Sequence, residues 1–171
     1  GNLVRAIKDA GAETIVVEMD PSDVLSDDPL AAVSTRIKNA LKGAENIKGM
    51  ISLWGLSTSK SDSRPTIGLT SSLYALQSIV TIFHNQAIAC WLLTSQSVST
   101  TTKDVIQSSE QSMVRALGRI FSLEHSDFWG GLIDLPRDLT DRTGDNIISI
   151  MHEPKEDAFA LRSDGVYTER L

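Results

Sequence analysis

The segment from Ala116 to Pro136 constrains the fold of this chain more than any other part of the sequence. It reads ALGRIFSLEHSDFWGGLIDLP, so a helical pattern, a polar break and an apolar run follow one another without a gap. Around its start, apolar residues recur at steps of three and four, which places them on one face of a helix. They are Met113, Ala116, Leu117, Ile120, Phe121 and Leu123. We expect the helix to pack by this face and to leave Arg115 and Arg119 in solvent.

The second half of the same segment predicts a short buried strand. The pair Gly130 and Gly131 permits backbone angles that are closed to other residues, and the apolar run Leu132–Leu135 follows it. Pro136 ends the strand because it has no amide hydrogen to donate to a ladder. Gly118 costs about 1 kcal/mol in a helix relative to alanine, so it indicates a close backbone contact. A helix followed by a buried strand is typical of an α/β core.

The rest of the chain repeats this alternation. Helices are predicted over 2–10, 29–41, 69–83, 111–124 and 146–151, and strands over 14–19, 50–54, 87–93 and 132–135. Near-continuous apolar strands between amphipathic helices indicate a mostly parallel sheet that is covered on both faces. The polar stretches 56–66 and 94–112 have no period, so we expect surface loops there.

The two ends of the chain carry separate signals. Asp164-Gly165 stands between the extended runs 158–162 and 166–170, which predicts a C-terminal β-hairpin within 157–171. The chain opens on a helix, whereas a doubly wound sheet usually opens with a strand. We therefore expect the complete fold to include a strand upstream of residue 1.

Composition limits the function. A length of 171 residues predicts one domain over 1–171. The net charge is -6 and no dense basic run is present, so we expect no nucleic-acid partner. The single cysteine, Cys90, lies in an apolar run and suits a buried, inert thiol in a reducing cytoplasm. No signal pattern and no apolar stretch of about 20 residues is visible, so we predict a soluble cytoplasmic chain with no membrane partner.

The motifs of common active sites are absent from the sequence. The eleven glycines form neither Gly-x-Gly-x-x-Gly nor Gly-x-x-x-x-Gly-Lys, the turns that bring backbone amides to phosphates. Gly-x-Ser-x-Gly is also missing, so a nucleophile elbow is unavailable. The three histidines are scattered and cannot form a zinc site with one cysteine. We therefore predict no catalytic, cofactor-binding or metal-binding residue in this chain.

Three features remain as weaker candidates. Glu124 and His125 form an acid-imidazole neighbourhood, which we interpret as helix capping because a histidine near a helix C-terminus meets the dipole favourably. Asp134 lies at a strand end, a common place for function in parallel sheets, and we interpret it as a hydrogen-bonded turn residue. Large aromatic residues in or beside strands are expected to be core or interface. They are Trp54, Trp91 and Trp129.

A family resemblance rests on four motifs together. They are Ala116–Pro136, Gly49–Trp54, Trp91–Thr94 and the ending Ala160–Leu171. In combination they resemble the non-catalytic, structural half of the ketoreductase domain of modular polyketide synthases. Two departures mark a divergent member: Ser52 stands where histidine is frequent, and Ser112–Arg115 replace a usual proline and tryptophan.

The resemblance implies a fold and a supporting role. The fold would be α/β, a truncated Rossmann-like three-layer arrangement of the short-chain dehydrogenase/reductase type. A catalytic half in the same polypeptide would hold NADPH and the serine, tyrosine, lysine and asparagine of the reductase. Tyr74 and Tyr167 are followed four residues on by Ser78 and Leu171, so the tyrosine-lysine pair of such reductases is absent here. The intact enzyme would reduce a β-ketoacyl chain on an acyl carrier protein to β-hydroxyacyl.

Other functions stay open at this stage. The chain is also compatible with a pseudo-ketoreductase remnant that serves as a docking scaffold beside a C-methyltransferase or an acyl carrier protein. A third hypothesis is an autonomous nucleotide-dependent reductase, which would bind NADPH without a partner. Neighbouring synthase domains are the expected partners in the first two cases.

Overall fold

A computed structural model of the chain describes residues 2–57, 66–101 and 109–169. Its centre is a five-stranded sheet of order β1-β2-β3-β4-β5. The strands are Gly49–Ser52 (β1), Ala89–Ser95 (β2), Trp129–Leu135 (β3), Ala158–Arg162 (β4) and Gly165–Thr168 (β5). The first four are parallel, and β5 returns antiparallel to β4. The predicted α/β class, the mostly parallel sheet and the C-terminal hairpin are confirmed.

Helices cover both faces of the sheet. They are Asn2–Asp9 (α1), Pro21–Val24 (α2), Pro29–Ala40 (α3), Ile67–Ile82 (α4), Ser109–Glu124 (α5) and Thr143–His152 (α6). One apolar cluster joins α3, α4 and α5 to one face, and a second joins α6 and Leu3 of α1 to the other. Successive β2 residues alternate between them: Leu92 belongs to the first cluster and Trp91 to the second. The result is the predicted three-layer arrangement. Every helix within the described ranges is too short or too polar to cross a lipid bilayer.

Three glycines let a helix and an indole approach the sheet closely. A Cβ on Gly118 would stand 3.0 Å from the Trp129 ring and 3.2 Å from Leu92, so α5 lies tightly on the sheet, as expected. At Gly130 a Cβ would stand 2.4 Å from the indole nitrogen of Trp91. Gly131 meets the same ring and also has a φ of +149°, which side chains rarely adopt. The glycine pair thus makes room for a buried tryptophan.

The prediction of a strand over 14–19 is wrong. Residues 12–20 pair with no strand, and Ile15 and Val16 are 45% and 65% exposed. The composition is that of a strand, but a strand also needs a hydrogen-bonded neighbour. The sheet ends at β1 instead.

Two further segments differ from the prediction. The strand predicted over 50–54 stops at Ser52, and a short 3-10 turn, Trp54–Leu56, follows it. The predicted surface loop 94–112 is wrong in part, because Thr94, Ser97 and Gln111 are buried. Residues 102–108 of that loop, and most of the loop predicted over 56–66, lie outside the described residues.

The predicted packing face of α5 is wrong in part: Phe121 is buried and Leu117 packs against the core, as expected. The buried residues of this helix are Gln111, Val114, Gly118 and Phe121. The other four residues expected in the core form an exposed stripe instead, and they are Met113, Ala116, Ile120 and Leu123. Both sets have helical spacing, so periodicity alone supports either face.

Candidate functional site

Polar groups converge where β2, β3 and β4 end, the edge at which parallel sheets usually carry function. Asp134 near the end of β3 is fully buried. Its Oδ1 accepts hydrogen bonds from Thr94 Oγ1 at 2.7 Å, from Ser97 N at 2.9 Å and from Ser97 Oγ at 2.6 Å. Arg162 at the end of β4 donates from Nη2 to Asp134 Oδ2 at 2.9 Å. A charged pair therefore lies inside the fold with its hydrogen bonds made.

Arg162 also binds backbone carbonyls from three parts of the chain. Its Nη2 donates to Val98 O at 2.7 Å, and its Nη1 donates to Leu161 O at 2.7 Å and to Asp134 O at 3.4 Å. The guanidinium thereby ties the hairpin to the loop after β2. Both carboxylate oxygens of Asp134 accept hydrogen bonds from groups of the chain itself. The arrangement fastens loops together, as the turn interpretation of Asp134 implies.

A second buried polar contact joins α5 to the turn after β1 and to the end of β2. Gln111 is 2% exposed; its Nε2 donates to Gly55 O at 2.6 Å and its Oε1 accepts from Ser95 N at 3.0 Å. Sequence reasoning missed this residue. The available signal was its position three residues before Val114 and seven before Gly118, on the face of α5 that packs.

The space beside this edge is small. A cavity of about 230 Å³ lies beside Arg162 and is lined also by Gln96, Pro136 and Asp138. Pockets for small-molecule ligands usually exceed about 300 Å³, and a dinucleotide also needs a glycine-rich turn at a helix N-terminus. The turn that follows β1 here is the 3-10 segment Trp54–Leu56. The described residues at this edge do not fit a nicotinamide dinucleotide.

The acid-imidazole neighbourhood lies elsewhere, at the end of α5. Glu124 is exposed, whereas the half-buried His125 ring packs 5.1 Å from the Phe121 ring and 6.5 Å from the Phe128 ring. The backbone N of His125 donates to Phe121 O at 2.8 Å, which extends the helical hydrogen bonding by one residue. The structure places neither side chain beside Asp134 in the cluster at the strand ends.

The tryptophans hold elements together. Trp91 is buried, and its ring lies 6.5 Å from that of Phe159. Trp129 Nε1 donates to Asp157 Oδ2 at 3.1 Å. Trp54 Nε1 donates to Val17 O at 3.3 Å.

Cysteine and metal chemistry have no visible site in the part of the chain that the structure describes. Burial raises the pKa of the Cys90 thiol to about 12, so the sulfur stays protonated at neutral pH. Across 2–57, 66–101 and 109–169, no three histidine, cysteine or acidic side chains gather closely enough to hold a metal ion.

Comparison with solved structures defines the class of protein. A short-chain dehydrogenase from Rhodopseudomonas palustris superposes with a TM-score of 0.60 at 11% identity, over 93% of this chain and 79% of that one. A C2-type ketoreductase from a modular polyketide synthase superposes with a TM-score of 0.82 at 29% identity, over 96% of this chain and 36% of that one. The fold is Rossmann-like, of the short-chain dehydrogenase/reductase type.

Comparison with curated proteins gives the more particular relationship. Polyketide synthase GfsA of Streptomyces halstedii is 34% identical over an alignment of 174 positions that covers 99% of this chain and 2% of the synthase. Pikromycin polyketide synthase component PikAII of Streptomyces venezuelae is 31% identical over an alignment of 172 positions that covers 99% of this chain and 4% of that protein. No protein-family model matches. The chain is a homologue of modular polyketide synthases with the fold of their ketoreductases, which confirms the resemblance seen in the sequence.

Proposed function

We propose that residues 1–171 form the structural, non-catalytic subdomain of a polyketide synthase ketoreductase. Its role would be to hold the shape of a catalytic half that reduces β-ketoacyl chains on an acyl carrier protein with NADPH. Two observations support the absence of chemistry here. The polar cluster at the strand ends is satisfied by its own hydrogen bonds, and the cavity beside it is too small for the cofactor. NADPH would therefore contact residues of the catalytic half.

The observation that carries the proposal is the exposed stripe of α5. Met113, Ile120 and Leu123 are 38%, 54% and 86% exposed, and Ala116 lies in line with them. Their spacing of three, four and three residues is the a/d pattern by which one helix packs against another. Contiguous apolar surface of this kind on a folded chain marks an interaction site.

Charged residues flank the stripe. Arg115 and Arg119 both form ion pairs with the Glu169 carboxylate, which ties the α5 surface to the segment after β5. An apolar centre beside charged residues is the usual composition of a protein-protein interface. The helix therefore offers a ready docking face beside a polar rim.

The comparisons support the identity of the partner. This chain covers 36% of the ketoreductase on which it superposes. In that protein about two thirds of the polypeptide therefore lies outside the matched part. We infer that the corresponding portion of this chain's own synthase packs on the α5 stripe.

Replacement of an apolar side chain of the α5 stripe by a charged one tests the proposal. Ile120→Asp should weaken association with the separately expressed catalytic half at least tenfold and lower ketone reduction by the reconstituted pair. The stability of the isolated chain should change by less than about 0.5 kcal/mol, because Ile120 is exposed. Titration calorimetry measures the association, and the rate of NADPH oxidation measures the ketone reduction.

The matched control is Leu25→Asp, since Leu25 is an exposed leucine outside the stripe, at 73%. It should leave association and reduction unchanged. Equal losses from both variants would contradict the proposal. Tight binding to a C-methyltransferase, without any binding to a reductase half, would favour the pseudo-ketoreductase remnant instead.

A further inference from the structure

The C-terminal end of α5 is the most exposed part of the stripe. Leu123, its last member, is 86% exposed, whereas Met113 at the other end is 38% exposed. Glu124, the last residue of the helix, is also exposed, and so is Asp127 in the short 3-10 turn that follows. We call Leu123, Glu124 and Asp127 the α5 end. An apolar side chain and two carboxylates therefore face solvent within five positions of the chain.

The negative charge at the α5 end has no counter-charge in the part of the chain that the structure describes. Neither Glu124 nor Asp127 forms an ion pair with a basic side chain there. The last turn of α5 contains no basic residue. His125, which lies between the two carboxylates in sequence, packs against neighbouring aromatic rings instead.

The position of Glu124 is unfavourable for the helix itself. The C-terminus of a helix carries partial negative charge, which favours a basic side chain and opposes a carboxylate. Glu110 lies in the first turn of α5, where the same dipole favours an acidic residue. Helix stability therefore accounts for Glu110 and does not account for Glu124. A cation from outside the described residues would offset the cost of Glu124.

The same end of the helix presents backbone acceptors. Phe121 O accepts from His125 N, and no group of the described residues donates to the carbonyl oxygens of residues 122–124. Carbonyls at a helix C-terminus bind arginine and lysine side chains. An arginine also pairs with a carboxylate through its guanidinium and packs its stem on apolar surface. The α5 end therefore offers one cationic side chain a carboxylate, carbonyl oxygens and an apolar contact.

The basic flank of the stripe differs, because it has a partner within the chain. Arg119 lies four residues before Leu123, which is the spacing of neighbours on a helix surface. It shares the Glu169 carboxylate with Arg115. Charge is therefore left open at the α5 end and not at the arginines.

We propose that the polypeptide that packs on the α5 stripe places an arginine or lysine side chain over the α5 end, in an ion pair with Glu124. The stem of this side chain covers Leu123. The proposal deepens the proposed function and rests on it for the identity of the partner, the catalytic half. Glu124 then determines specificity, because a partner with an acidic side chain at this point is rejected by like charge.

A second copy of the chain does not supply this cation. Glu110, Leu117 and Glu124 follow one another at seven-residue steps, so they form one line along the edge of the stripe. When two such helices pair in antiparallel orientation, this line meets itself. Carboxylates would then meet carboxylates, which is destabilising. The charge pattern therefore favours a partner of different sequence.

The test uses the complete ketoreductase polypeptide with a protease site between this chain and the catalytic half, so that both fold together before cleavage. Glu124→Lys should raise the Kd of the cleaved halves at least about tenfold in about 50 mM NaCl, because two cations then meet. In about 0.5 M NaCl, which screens charges, the difference should fall below about threefold. The matched control is Glu153→Lys, an exposed glutamate at the end of α6, which should leave the Kd unchanged.

The isolated chain gives a readout of the opposite sign. Residues 1–171 with Glu124→Lys should unfold at a Tm about 1–3 °C higher, because a basic residue is favourable at a helix C-terminus. A lower Tm would assign Glu124 a structural role in the chain itself and overturn the proposal.

The remaining outcomes separate this proposal from the proposed function. An unchanged Kd for Glu124→Lys, together with a raised Kd for Ile120→Asp, would overturn the ion pair and leave the proposed function standing. If neither variant raised the Kd, both would fail. Sedimentation of residues 1–171 as a dimer that Glu124→Lys dissociates would assign the surface to a second copy and also overturn the proposal.

Discussion

At the residue scale, the buried pair of Asp134 and Arg162 shows how charge is used in this fold. The two side chains are 0% and 11% exposed, and their partners come from the ends of three strands and one loop. Burial of a charge is costly unless it is paired and hydrogen-bonded. This pair meets both conditions, and we attribute to it the fixed geometry of the loops at the strand ends.

Removal of either partner should therefore destabilise the chain strongly. Asp134→Ala leaves the Arg162 guanidinium buried without its counter-charge, and we expect a loss of about 3–5 kcal/mol in the free energy of unfolding. Urea denaturation measures this loss. The exposed Asp138→Ala should cost less than about 0.5 kcal/mol. If the double variant Asp134→Ala/Arg162→Ala lost as much free energy of unfolding as the two single variants together, the pair would not be coupled.

The buried thiol of Cys90 predicts a pH dependence. Its pKa is raised from 9.0 to about 12 in the folded chain, so between these values the unfolded chain binds fewer protons than the folded one. The free energy of unfolding should therefore fall as pH rises through this window, by up to about 1.4 kcal/mol per pH unit from this group. Urea denaturation of the chain and of Cys90→Ala, at pH 8 and pH 10.5, isolates the contribution. Parallel losses in the two chains would contradict it.

At the element scale, α5 presents two apolar faces and the fold selects one. The buried face lies on the sheet through Gly118, where only a hydrogen in place of a Cβ leaves room for Trp129 and Leu92. The exposed face carries larger aliphatic side chains at equally regular spacing. A helix buries the face that matches its neighbours in shape, and this match is not a property of its own sequence.

The choice of face can be tested with neighbouring residues of the same helix. Phe121 is 5% exposed and packs against Trp129, so Phe121→Ala should lower the free energy of unfolding by about 3–5 kcal/mol. Ile120→Ala should change it by less than about 0.5 kcal/mol, because this side chain is 54% exposed. Thermal and urea unfolding measure the free energy of unfolding of the two variants. Comparable losses for both would contradict this choice of face.

At the scale of the whole molecule, the fold has the layers of a short-chain reductase, and the described residues at the ends of β2, β3 and β4 do not fit a nicotinamide dinucleotide. At the strand ends, Arg162 donates hydrogen bonds to Asp134 and to Val98 O, which holds the loop after β2 beside Asp134. Within the described ranges, β1 has no neighbouring strand on one side, and the α5 stripe is exposed. Both are suited to polypeptide rather than to a small molecule.

The isolated chain should accordingly fail to bind NADPH. Nicotinamide fluorescence should show no saturable change up to about millimolar cofactor, far above the micromolar affinity typical of a reductase. The reconstituted pair of subdomains serves as the positive control. Micromolar binding by residues 1–171 alone would establish an autonomous reductase and contradict the structural role.

The sequence alone determined most of the elements and their order, because periodicity, caps and turns act between neighbours in the chain. Pro29 begins α3, Leu135 ends β3 before Pro136, and Asp164-Gly165 turns the hairpin, as predicted. Tertiary structure decided the remainder. It brought Asp134 to Arg162 across 28 positions, chose the buried face of α5 and left residues 14–19 without a ladder. These outcomes depend on segments that are distant in sequence, so no local pattern contains them.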